Sequence, residues 1–118
     1  MEYTVEQIEN WIKENNEELN KDRLACEMPE VQMMNKFAPE KSKDVWDAGC
    51  WLSEILESLG ATEEENKEIC FAMGQRCFLG DANSVAVKFA NEYATTGTTK
   101  DKPGLRLADE INKEVFGL

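Results

Sequence analysis

The chain contains no histidine among its 118 residues. That removes the usual neutral-pH general base, the commonest metal ligand, and any Ser–His or Cys–His nucleophile pair. Di-iron bundles built on Glu-x-x-His pairs and open zinc sites lose ligands with it, so any chemistry here has to run on carboxylates. No apolar run approaches the roughly 20 residues that a membrane-spanning helix needs. No glycine-rich phosphate-cradling loop is found either. Basic residues are scarce: 13 Lys and Arg stand against 24 Asp and Glu, for a net charge of -11 and a pI near 4.4. Such a surface repels a phosphate backbone, which argues against direct nucleic-acid binding. The four cysteines, Cys26, Cys50, Cys70 and Cys77, form no C-x-x-C pair. They also follow no apolar signal segment, so the expectation is buried free thiols in a reducing, cytoplasmic setting rather than a disulfide scaffold or a tetrathiolate zinc site. No cofactor is implied.

What is present is helix signal. Hydrophobic residues at 42% and charged residues at 31% describe a folded globular chain, and the length suits one domain over residues 1–118. Thr4 with Gln7 forms a capping box, and Tyr3 is placed to staple onto Ile8. Val5, Ile8, Ile12 and Leu19 follow at helical spacing and predict a first helix ending near Asn20. Pro29 at a first-turn position predicts a short second helix carrying Val31, Met34 and Phe37. Pro39 repeats the signal, and Val45, Ala48, Gly49, Leu52, Ile55, Leu56 and Leu59 then share one side of a third helix up to a left-handed cap at Gly60.

Thr62 and Glu65 make a second capping box, with Glu63 and Glu64 at the positive end of the fourth helix. On that helix Ile69, Cys70, Phe71, Met73, Gly74, Cys77 and Phe78 cover more than half the circumference, which predicts a central position. The short link folds residues 40–59 and 63–79 into an antiparallel hairpin in which facing residue numbers sum to about 121. That sets Gly49 opposite Met73 and Ala48 opposite Gly74, small residues that allow close approach of the axes. Asp81 or Asn83 caps a fifth helix through Val85, Ala86, Phe89 and Tyr93, ending near Ala94. Beyond a polar, threonine-rich stretch, Pro103 starts a last helix with a narrow stripe of Leu107, Ala108, Ile111 and Val115. The expected fold is an all-α bundle of five or six helices around the central hairpin.

Two function classes follow. Acidic residues three apart can share a magnesium ion from one helix face. Six such pairs occur, against about five expected from composition alone, so the pattern carries little by itself. Asp44/Asp47 and Glu65/Glu68, on the two hairpin helices, are the metal-binding pairs of the alternative reading: a Mg-dependent all-α nucleotide pyrophosphohydrolase-like enzyme. Residues 81–92 carry some acidic and amide positions of a calcium loop, but Val85 and Ala86 stand where a ligand and a glycine are needed, and a continuous helix is expected.

The leading reading is a small acidic protein-interaction module without catalytic activity, an inhibitor or adaptor using an acidic helical surface. Residues 1–30 hold nine acids and three bases, and Glu14, Glu17 and Glu18 are the face that would meet a basic partner. Trp46 and Cys50 lie four apart on a side of the third helix distinct from its core face, with Trp51 on the opposite flank. Burial within the monomer, under residues 28–37, is the favoured cover for them; a partner or second copy is the alternative. Arg76 offers a planar fork for a partner carboxylate, although an ion pair with Glu68 is the simpler use. A protein partner of unknown identity is therefore expected, with a homodimer left open.

Overall fold

The computed structural model describes residues 2–77 and 80–96. These residues form five helices and no strand: α1 (Val5–Ala25), α2 (Pro29–Phe37), α3 (Pro39–Ser58), α4 (Glu63–Arg76) and α5 (Ala82–Thr96). The all-α bundle is thus the observed fold. The expected last helix from Pro103 lies outside the described residues, as does Phe78. No described helix is long and apolar enough to cross a membrane.

The helix starts are where local chemistry puts them. Thr4 Oγ1 accepts from Gln7 N at 3.3 Å while Gln7 Oε1 accepts from Thr4 N at 2.9 Å, and Thr62 and Glu65 repeat the reciprocal pair at 3.1 and 3.0 Å. Pro29 and Pro39 occupy first-turn positions, where a missing N–H costs nothing. Asp81 caps α5 by accepting from Ser84 N at 3.1 Å. Gly60 adopts φ of +89°, the left-handed conformation that ends α3 and lets the chain reverse.

Three expectations need correction. The first helix continues to Ala25 rather than stopping near Asn20, because Leu19 and Arg23, four residues apart, are both buried on its inner face. The hub is α3, not α4: α3 packs on all four other helices, whereas α4 packs on α3 and α5 only. Gly74 does not meet Ala48 closely; a Cβ built there finds nothing within 4 Å, while one at Gly49 comes within 3.2 Å of Met73 Cε. The predicted register therefore holds at Gly49, and the small-residue contact is one-sided.

The core forms where α1, α4 and α5 converge on α3, around Ile8, Leu52, Leu56, Ile69, Met73 and Phe89. Tyr3 packs against this core and meets Trp51 edge-on at 5.8 Å. Its backbone exchanges two bonds with the Asn91 amide, at 2.7 and 3.0 Å, strapping the N-terminus across α5. Tyr93 is buried beside Glu65, and burial first, then that carboxylate, raises its phenol pKa. The C-terminal end of α5 therefore stands at the N-terminal end of α4. Leu52→Ala, at the hub, is expected to lower stability by about 2–5 kcal/mol. Leu24→Ala, 67% exposed, is expected to change it by less than about 0.5 kcal/mol. Urea unfolding midpoints of the two variants check this contrast.

Candidate functional site

Both α2 and α4 pack on α3 but not on each other, and the space between them is a groove of about 410 Å³. Val45 and Trp46 of α3 form its floor, Met28, Val31 and Met34 one wall, and Cys70, Phe71 and Gly74 the other. The lining is overwhelmingly apolar, with Glu30 and Gln75 at its edges. Phe71 is 70% exposed and Met28 57%. A contiguous apolar surface of this kind on a chain so rich in charge marks an interaction site more often than a packing accident.

Sequence and local structure explain the opening. At nine residues, α2 is too short to cover α3, lacks a side-chain cap and has no buried residue. Its fixed point is Asn35, which accepts from Ser42 Oγ and donates to the Arg23 carbonyl at 3.2 Å. That pivot holds α2 to α1 and to the start of α3, leaving the floor beyond it uncovered. Trp46 is consequently half-buried, and its indole N–H is out of solvent with no hydrogen-bond partner.

Cys70 lines the groove, and its thiol and that of Cys50 are both shifted toward the protonated form. Burial, followed by Asp47, Asp22 and Glu54, raises the Cys50 pKa to about 11. Cys70 is raised to about 11 by burial and then by Cys50, its Sγ donating to Asn66 Oδ1 at 3.3 Å. Neither group is placed to act as a thiolate nucleophile at neutral pH.

The other singled-out residues are dispersed. Glu14, Glu17 and Glu18 are exposed together on α1, with Lys21 and Asp22 alongside. Trp51 and Arg76 are buried, which takes both away from a partner-facing surface. Asp44 is exposed, but Asp47 is held in the interior by Lys43, whose Nζ donates to Asp47 Oδ2 at 2.6 Å and to Asn16 Oδ1 at 2.8 Å. The ammonium thus sits where a cation would have to enter. Glu65 spends one oxygen on the Thr62 cap. Among the described residues no three Cys, Asp or Glu side chains are grouped to hold a metal ion, so Asp44, Asp47, Glu65 and Glu68 do not converge. The groove residues missed from the sequence were Met28, Cys70, Phe71 and Gly74. For Cys70, Phe71 and Gly74 the signal was the broad apolar circumference of α4; Met28, at the start of α2, carried none.

Compared with protein-family models, curated proteins and solved structures, the chain gives no match.

Two measurements check this electrostatic picture. Alkylation of Cys70 by iodoacetamide at pH 8 should run about 100-fold slower than that of an unperturbed thiol, and speed up as pH rises toward 11. Asp47→Asn should destabilise by about 1–3 kcal/mol in thermal unfolding, a figure reduced because the Lys43 side chain is 35% exposed. Asp44→Asn should stay within about 0.5 kcal/mol of wild type.

Proposed function

We propose that this protein is a non-catalytic interaction module that receives an amphipathic helix of a protein partner in the α2–α3–α4 groove. The observation that carries the reading is Phe71, a large aromatic standing 70% exposed at the wall of a groove floored by Trp46. Helix-in-groove recognition uses apolar anchors spaced along one face of the incoming helix, and Met-lined walls adapt to their shape. The exposed acids of α1 add a long-range field that speeds encounter with a basic partner without supplying most of the affinity. An inhibitor or adaptor role fits such a module. Four free thiols among the described residues suit a cytoplasmic setting.

Affinity capture with the chain of residues 1–118, run side by side with Phe71→Glu, tests the reading. Wild type should retain a protein that Phe71→Glu loses, and Phe71→Ala should weaken its binding about 10- to 100-fold at unchanged thermal stability. Equal retention by wild type and Phe71→Glu would contradict the groove as the interface. Reversal of Glu14, Glu17 and Glu18 to lysine should slow association with that partner about tenfold at low salt and flatten its salt dependence.

A further inference from the structure

A second depression, on a different side of α3, is polar. It encloses about 410 Å³ between α1, α3 and the start of α5, and it shares no lining residue with the groove. We propose that this cleft binds a guanidinium group, held between Asp47 at its floor and Asp44 and Glu9 at its rim. The inference goes beyond the groove and does not rest on it.

Asp47 is the acceptor that carries the inference. It lines the cleft with only 2% of its surface exposed, and its two oxygens are used unequally. Oδ2 accepts from Lys43 Nζ at 2.6 Å, and the same ammonium donates across to Asn16 Oδ1 on α1 at 2.8 Å. Oδ1 is out of solvent and has no hydrogen-bond partner. A buried carboxylate oxygen left in that state costs free energy that a donor from outside the chain recovers. Asp44, three residues earlier on the same face of α3, and Glu9 on α1 also line the cleft and are exposed.

Charge and spacing select the class of ligand. Three carboxylates and two ammonium groups line the cleft, so one negative charge is in excess and an occupant of charge +1 balances it, whereas an anion is repelled. A metal ion needs its oxygens to converge to within about 2.0–2.6 Å of one point, and among the described residues no three acids are so grouped. A guanidinium instead spreads its N–H donors over a rigid plane, which suits acceptors on two helices and the roughly 5–6 Å between side chains three residues apart. A second ammonium would be a compact point charge beside that of Lys43, with fewer acceptors in reach. Ile12 gives the alkyl stem an apolar wall. A small guanidine compound and an arginine of a protein partner carry the same group, and the test separates them.

Titration of the chain of residues 1–118 with L-arginine, N-acetyl-arginine amide and N-acetyl-lysine amide at matched ionic strength tests the proposal, read by NMR from the Asn16 and Asn83 side-chain amides. Both arginine probes should bind saturably in the millimolar range, and the capped arginine about tenfold more tightly than the capped lysine. Asp44→Asn and Glu9→Gln, at exposed positions, should each weaken binding about three- to tenfold with the thermal midpoint unchanged. Tighter binding of free L-arginine than of the capped form assigns the site to a small guanidine compound, and the reverse order to a partner's side chain; both uphold it. No saturation by either arginine probe, equal affinity for the lysine probe, or an affinity that neither substitution lowers overturns the proposal. Phe71→Glu should leave arginine binding unchanged, so the cleft and the groove fail separately.

Discussion

The close approach of α3 and α4 at Gly49 is the constraint on which the other features depend. A Cβ at that position would come within 3.2 Å of Met73 Cε, so the Met73 side chain packs over Gly49 and would have to give way to a larger residue. Closure there turns Ile69, Met73 and Cys77 into the core and commits the opposite face of α4. Cys70, Phe71 and Gly74 are carried to the outside by the same rotation. Apolar residues cover more than half the circumference of α4, and α3 and α5 together leave part of that face uncovered. The groove is the remainder of that packing.

The second wall has a different origin. Pro29 and Pro39 punctuate a helix of nine residues, and its link to the bundle is polar, through Asn35 to Ser42 and to the Arg23 carbonyl. Polar anchoring fixes where α2 stands but supplies little area to cover Trp46. Elsewhere two acids are used structurally: Asp47 by Lys43 and Glu65 by the α4 cap. Carboxylates engaged in this way are poor starting material for a metal centre.

Much of the fold was legible because helix boundaries are written locally. Capping boxes at Thr4 and Thr62, prolines at 29 and 39 and the left-handed Gly60 each specify a terminus from fewer than five residues. The hairpin register was legible at Gly49 for the same reason, since a two-residue link leaves little freedom. Which helix is central was not, because periodicity shows that a face is apolar without showing what meets it. Phe71 and Trp51 illustrate the two directions of that failure. Phe71 reads as core and stands exposed, whereas Trp51 reads as a flank residue and packs under Tyr3. The groove needed the relative placement of α2 and α4, which never touch and share no local signal.

Paired glycine substitutions measure the central claim, that α4 has one face closed on α3 and one face open. Gly49→Leu should destabilise the protein by about 1–3 kcal/mol, because the added side chain has to displace Met73 from the hub. Gly74→Ala, which meets nothing within 4 Å, should instead stabilise it by up to about 1 kcal/mol through helix propensity. Denaturant midpoints moving in opposite directions is the predicted result. Equal tolerance of the two substitutions, or greater damage at Gly74, would contradict the account.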